Sequence, residues 1–354
     1  MPPTSPSEHP RRPRLTPALA DVRRAVREHL DALPEGSLAL VALSGGADSL
    51  ALAIATAAEA PRAGRRAGAV IVDHGLQADS AQVAERAAAQ ARALGLDPVL
   101  VRCVVVGTSG GPEAAARAAR SAALDAAVAE TGAAAVLLGH TLDDQAETVL
   151  LGLARGSGTG SLQGMSAVRG AVRRPLLGVR RATTAAACAD AGLETWHDPH
   201  NAEERFARVR VRRSILPMLE RDLDAGVIEA LARTAAIVRE DAEALDAMVD
   251  EVAEELVELE EAGCSLPVAA LAANPAALRH RLIRLVARVE FGASLSRTQT
   301  LEVARLVTDW HGQKPLHLPG IRVERTAGRL VFTAAPADSE ARDADDPHPI
   351  ERGD

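Results

Sequence analysis

Residues 38–60 read LALVALSGGADSLALAIATAAEA: an apolar run, a short polar loop, and a second apolar run. This junction constrains the chain more than any other segment. A membrane span is a poor reading, because an aspartate at the centre of a bilayer helix costs about 2.5–3.5 kcal/mol, and Asp48 stands in the middle. Ser44, Gly45, Gly46 and Ser49 also break the apolar run. What remains is a buried strand at 38–43 followed by an alanine-rich helix at 49–60. A glycine loop between strand and helix aims backbone N–H groups at a helix N-terminus, where anions bind. Ordinary strand–turn–helix links use the same residue types, so the choice rests on the rest of the chain.

The most common phosphate loop ends in Gly-Lys-Ser/Thr, but the single lysine, Lys314, follows no glycine loop. The dinucleotide fingerprint G-x-G-x-x-G is absent from this loop too. The pattern SGGxDS resembles instead the pyrophosphate-binding loop of the N-type ATP pyrophosphatases (PP-loop enzymes), which cleave ATP to AMP and pyrophosphate. Ser44, Gly45, Gly46, Ala47, Asp48 and Ser49 are then the ATP-binding candidates. The glycines let the backbone approach phosphate and the serines add hydroxyl donors. Asp48 repels phosphate unless a cation lies between them, which implies Mg²⁺.

The organisation of the chain supports a nucleotide site. Apolar runs at 38–43, 69–74, 98–106 and 135–140 alternate with helical stretches at 49–60, 79–95 and 112–131, after a first helix at about 17–33. Such alternation predicts an α/β fold, a doubly wound parallel sheet of right-handed βαβ units. Ligands in such sheets bind beyond the carboxyl ends of the strands, where Ser44–Ser49, Asp73-His74 and Gly139-His140 fall. From about 222 the pattern changes to long helices at 222–260 and 275–290, with a closing strand pair at 315–333. The expected layout is a tail at 1–16, a catalytic domain at 17–220, a second, mostly helical domain at 221–335 that holds the substrate, and a tail at 336–354. Cys103, Cys188 and Cys264 are far apart and form no CxxC, which suits a reducing cytoplasm and speaks against a zinc knuckle or an iron–sulfur cluster. The N-terminus has no apolar core of a secretory signal.

The run GHTLDDQAETVLLGLARGSGTGSLQGM, 139–165, carries the second constellation. Residues 142–154 read as a helix. His140, Asp144 and Glu147 are spaced by four and three and share a face near its start. The plain alternative is a helix N-terminus with capping acids, which fits Asp143 better than it fits His140, Asp144 and Glu147 together. The glycine-rich tail reads as a mobile loop over the site.

These segments, with VDHGLQADS, EAAARAAR, RRPLLGVRR and WHDPHN…RVRVRRSILPMLE, occur in the order found in the tRNA(Ile)-lysidine synthases, which the chain resembles over about 37–220. The ending LPGIRVER…GRLVF, 318–332, is similar to that family's following domain. Departures are Val209 in place of an asparagine, Gln77 in place of an arginine, Ser121 in place of a tyrosine and Thr141 in place of a second histidine.

The resemblance implies that ATP adenylates the wobble cytidine of a tRNA(Ile) with a CAU anticodon, and that L-lysine then displaces AMP. It implies Asp48 and Asp144 as Mg²⁺ ligands, and Arg117 and Arg120 at the α-phosphate or the tRNA. His140 and Glu147 orient the base or the amine, and Asp73, His74 and Gly139 lie at the nucleotide. Net charge is −8, so RNA binding must come from local patches. One is Arg169, Arg173, Arg174, Arg180 and Arg181; the other is Arg205, Arg208, Arg210, Arg212 and Arg213, with Trp196 and Phe206 beside it for stacking. The chain is expected in the cytoplasm with no membrane partner, and a homodimer is compatible with the sequence. The rivals are another PP-loop tRNA-modifying enzyme, such as a thiolase, and a non-catalytic ATP-binding module.

Overall fold

The computed structural model describes residues 15–75, 79–107, 111–156, 158–196, 203 and 205–335. Of the two expected tails only Leu15 and Thr16 are among them, and the Thr16 hydroxyl caps the first helix. The chain divides into compact units at 1–239 and 240–354, where the sequence suggested a boundary at 220/221.

In the first unit, α1 (Pro17–Asp31) precedes β1 (Leu38–Ala42), α2 (Ala47–Glu59), β2 (Arg66–Asp73), α3 (Ser80–Ala93), β3 (Val99–Cys103), α4 (Pro112–Thr131), β4 (Ala135–Leu137) and α5 (Leu142–Ala154). Then follow α6 (Thr159–Leu162), β5 (Val168–Arg169), β6 (Val172–Arg173), a 3₁₀ turn (Pro175–Gly178), α7 (Arg181–Asp190) and α8 (Ala207–Arg210). A π turn (Val211–Ile215), α9 (Leu216–Asp222) and α10 (Val227–Leu256), which crosses the division, complete it. The strands lie in the order β3-β2-β1-β4-β6-β5. All neighbours are parallel except β5 with β6.

β1 shows why the sheet must be covered on both faces. All five of its residues are buried. Successive side chains point to opposite faces: Ala39 and Val41 enter a core that contains Val22, Val26 and Leu30 of α1 and Leu50 of α2, while Leu38, Leu40 and Ala42 enter another with Leu124 and Ala127 of α4. A continuous apolar strand is the signature of a parallel sheet buried on both sides. The chain leaves β1 towards β2 on one side and β4 on the other. That reversal opens a crevice at the carboxyl ends of β1 and β4.

The second unit contains β7 (Glu258–Glu260), β8 (Gly263–Pro267), α11 (Val268–Ala273), α12 (Ala276–Phe291), α13 (Arg297–Thr308), β9 (Leu316–Leu318), β10 (Ile321–Thr326) and β11 (Arg329–Ala334). The strands form a five-stranded antiparallel sheet, β7-β8-β11-β10-β9. The closing strands expected at 315–333 are present, but they belong to a larger sheet, and the helices share the unit with it. Leu266, Ile321, Val323, Leu330 and Phe332 from the strands pack with Leu282, Ile283 and Val303 from α12 and α13.

Candidate active site

The loop after β1 is held by its own hydroxyls. The Ser44 amide donates to Ser49 Oγ (3.2 Å), the two Oγ atoms lie 3.1 Å apart, and Ser49 Oγ donates to the Gly46 carbonyl (2.9 Å). Gly45 has φ +82°, which favours glycine. Gly46 is the N-cap of α2 and brings no side-chain cap, so the first-turn N–H groups of α2 have no such partner. Gly139, after β4, packs against this turn: a Cβ there would lie 3.0 Å from the Asp48 backbone.

A cavity of about 520 Å³ lies over the loop, within the range of roughly 300–1,000 Å³ usual for small-ligand sites. Ser44, Gly46, Ala47, Asp48, Ser49, Arg120, Gly139 and His140 line it, as expected. So do Arg181, Trp196, Arg212 and Arg213, which the sequence suggested for RNA. The Trp196 amide donates to the Gly45 carbonyl (2.9 Å), which ties the backbone of this residue to the phosphate loop. Arg120 has no hydrogen-bond or ion-pair partner among the described residues. Burial and the neighbouring Arg117 depress its pKa. A cation left unpaired beside bare helix amides suits a polyphosphate.

Behind the cavity the acids of α5 meet arginines from far along the chain. Glu147 is completely buried. Its carboxylate accepts from Arg181 Nη1 (3.1 Å), Arg208 Nε (3.1 Å), and Arg212 Nε (2.7 Å) and Nη2 (3.0 Å). Asp144 Oδ1 accepts from Arg181 Nη2 (2.7 Å) and Arg212 Nη2 (3.1 Å). Its Oδ2 accepts from the Thr141 amide (2.9 Å) and hydroxyl (3.0 Å), closing a capping box on α5. Asp144 is therefore the capping acid. Asp143 instead accepts from the Arg181 amide (2.7 Å), at the start of α7. Burial would raise the Asp144 carboxyl, but Arg181, the Thr141 amide and Arg212 outweigh it and hold the pKa below the ordinary value. Asp48 differs. Burial raises it despite the Thr184 hydroxyl on Oδ1 and Arg181 Nε 3.5 Å from Oδ2. Arg208 and Arg212 thus leave the expected RNA patch and act as counter-charges inside the site, as does Arg181 from the other patch.

The remaining expectations divide. His140 precedes α5, so it reaches the cavity from the strand end and not from the helix face. Asp73 is buried and accepts from the Gly75 amide (2.9 Å). His74 stands close enough to Arg120 for their charges to interact, and Arg117, which does not line the cavity, repels Arg120. Arg205 packs over the Phe206 ring at 4.8 Å, and Arg210 donates to the Arg205 carbonyl (3.0 Å). Arg174 donates to the Ser166 carbonyl (2.8 Å), and Arg173, in β6, pairs with Val168 of β5 and Leu137 of β4. Val209 is buried and needs no polar partner. Gln77 lies outside the described residues. The expected mobile cover is a short helix whose end is tied to α5: Gln145 donates to the Met165 carbonyl (3.0 Å) and accepts from its amide (2.6 Å). Missed altogether was Thr184, buried behind Asp48, whose partner is 136 positions away; no local pattern carries such a contact.

The expected Mg²⁺ pair does not fit as arranged. All four acceptor positions of Asp144 are occupied by arginine and Thr141, and only Asp48 Oδ2 has a loose contact. Among the described residues, no group of three or more His, Cys, Asp or Glu side chains is placed to hold a metal.

Comparison with known proteins decides the family. A PP-loop domain model matches residues 19–219 and a TilS substrate binding domain model matches 266–331. A tRNA(Ile)-lysidine synthase of Leifsonia xyli subsp. xyli is 62% identical over 301 residues, covering 85% of this chain and 91% of the relative. Those of Streptomyces coelicolor and Thermobifida fusca are 54% and 51% identical, covering 86% and 90% of this chain and 88% and 98% of theirs. The chain belongs to the tRNA(Ile)-lysidine synthase family. A U34-tRNA thiolase from Methanococcus maripaludis, at TM-score 0.53 and 18% identity over 63% of this chain and 80% of its own, shares the fold.

One property of the lysidine synthase site is open to direct titration. Burial pushes the His140 imidazole down to about 4; Asp144 opposes the shift, and Arg120, Arg174 and Arg208 add to it. The ring is therefore neutral at pH 7. A depressed histidine stabilises the fold above its unfolded value of 6.5, and that contribution is lost as pH falls through 4. His140→Asn should therefore flatten the fall in unfolding midpoint between pH 6.5 and 4. A mutant profile that superimposes on the wild type would contradict the burial of this ring.

Proposed function

We propose that the protein ligates L-lysine to C2 of the wobble cytidine of tRNA(Ile) bearing a CAU anticodon. The C2 carbonyl oxygen attacks the α-phosphorus of ATP and pyrophosphate leaves. The lysine ε-amine then attacks C2, loses a proton, and AMP leaves. The product pairs with A instead of G. The observation that carries the reading is the meeting, in one crevice, of the Ser44–Ser49 loop, the unpartnered Arg120, and Arg181 and Arg212, which the acids of α5 hold from behind, in a family that carries out this ligation.

In this scheme the Ser44–Ser49 amides and hydroxyls hold the departing pyrophosphate, and Arg120 meets the charge on the α-phosphate. Glu147 and Asp144 are saturated by arginine. They therefore set the field of the site and do not accept the amine's proton. Of the polar groups lining the cavity, Asp48 Oδ2 and the neutral His140 ring are the acceptors not saturated in this way. Mg²⁺ arriving with ATP would find a ligand in Asp48 Oδ2, and Asp144 could join only by releasing Arg181 or Arg212. The catalytic part is 17–220 and the tRNA-holding part 221–335. A homodimer is compatible with this reading, which needs only one chain. Both tRNA and ATP place the protein in the cytoplasm; no helix among the described residues is long and apolar enough to cross a membrane.

The thiolase alternative finds little in the cysteines. Cys264 lies in the second unit. Cys188 is buried under the loop with its thiol on the Ala47 carbonyl (3.3 Å), pushed up to about 11 by burial and by Asp48.

The two steps separate experimentally. With labelled ATP and tRNA(Ile) but no lysine, pyrophosphate should form and adenylated tRNA should accumulate. Adding lysine should discharge the label as AMP. Failure of the label ever to reach the tRNA would remove the adenylated intermediate.

A further inference from the structure

α12 is an unusually basic helix in an acidic chain. Its sequence, AALRHRLIRLVARVEF, carries four arginines against one acid, Glu290, while the chain as a whole has a net charge of −8. Leu278, Leu282, Ile283, Val286 and Ala287 face the core of the second unit. The spacing of three and four places Arg281, Arg284 and Arg288 together on the other side. They line a cleft of about 350 Å³, with Asp246 and Asp250 of α10 across from them.

Asp246 is taken by Arg281. Arg284 and Arg288 have no hydrogen-bond or ion-pair partner among the described residues. Arg284 is half-buried, and its pKa is depressed by burial and by repulsion from Arg281, with Asp246 opposing and Arg297 adding to the shift. Three guanidiniums against two carboxylates, with Arg297 repelling Arg284, leave an excess of positive charge. A chain with 48 acids and 40 bases could pair these arginines readily. Keeping two of them unpaired on one face points to an anion from outside. The row spans about 10 Å at roughly 1.5 Å per residue. A line of donors along a helix suits the repeated charges of a polymer, whereas one small anion needs donors that converge.

We infer that the Arg281–Arg284–Arg288 face of α12 binds the phosphodiester backbone of the tRNA, a contact separate from the catalytic crevice. The inference rests on the function proposed above and names a place where the substrate is held. Phosphate contacts set position and salt dependence rather than sequence.

The test is binding of tRNA(Ile) across a salt series, for the wild type, Arg284→Gln/Arg288→Gln and Arg284→Lys/Arg288→Lys. The glutamine pair should lower the slope of log K against log salt by about 1–2 units, and the lysine pair should keep the wild-type slope. ATP affinity and unfolding midpoint should match the wild type in both. A wild-type slope in the glutamine pair overturns the inference. If that pair fails to fold, Arg288→Gln alone, on an exposed residue, should still lower the slope by about 1, and an unchanged slope there overturns it equally. Inorganic phosphate that binds the wild type but not the glutamine pair, with the tRNA slope unmoved, would make this a small-anion site and overturn it as well. A wild type that forms no lysidine at all would instead defeat the underlying function.

Discussion

Glu147→Ala should abolish lysidine formation and destabilise the fold by about 3–5 kcal/mol, the usual cost of removing one partner from a buried ion pair. The carboxylate is wholly buried and is the shared acceptor of Arg181, Arg208 and Arg212. Without it Arg208 keeps the Thr148 hydroxyl (2.6 Å) among the described residues, Arg212 keeps Asp144, and Arg181 keeps Asp144 and Asp48. The freed guanidiniums line or adjoin the cavity, so its field changes as well as its walls. Chemical unfolding and steady-state turnover check both halves of the prediction. Glu147→Gln, which keeps the shape and one of the two acceptor oxygens, should lose less stability than the alanine variant. Wild-type stability and turnover in the alanine variant would show that the arginines are held by other means.

Asp48→Asn should behave in the opposite way, inactive but as stable as the wild type or more so. Burial raises the Asp48 carboxyl. A carboxyl raised in the folded state gives its stabilising contribution below the unfolded value, and loses it as pH rises through the folded one. At pH 7 the ionised group therefore burdens the fold, and a neutral amide relieves it. In the proposed scheme Asp48 lies in the phosphate loop, where its charge serves adenylation. Its loss should lower kcat/KM for adenylation by at least about 10²–10³-fold, the scale for removing one preorganised electrostatic group, with tRNA binding unchanged. A variant that turns over normally would take Asp48 out of the reaction. One that unfolds readily would show that the carboxylate is structural. Stability spent on a functional charge is a common trade in active sites.

The two acids differ in how legible they were. Asp48 sits in a six-residue loop whose meaning is local: a buried strand before it, a helix after it, and glycines where the backbone must turn. The β/α alternation and the helix at 142–154 were equally legible, because apolar periodicity records which face is buried. The partners of Glu147 were not. Arg181, Arg208 and Arg212 lie 34, 61 and 65 positions away, and in sequence an arginine turned inward to a carboxylate looks the same as one turned outward to RNA. The π turn that carries Arg212 leaves no composition signal, although such turns concentrate at functional sites. In the second unit, ELEEAGCSLP gives no clear strand pattern. It becomes strand through pairing, Cys264 with Phe332 and Leu266 with Leu330, and β-propensity is largely a matter of such neighbours.

The central claim is that the crevice beyond β1 and β4 makes lysidine in tRNA(Ile). Its most direct test is nucleoside analysis of a CAU-anticodon tRNA(Ile) transcript after incubation with the protein, ATP and isotopically labelled lysine. The wobble cytidine should be replaced by lysidine carrying the label, with one AMP released per residue formed and no product from Asp48→Asn. AMP release without lysine, or a wobble position still cytidine after ATP is consumed, would contradict it.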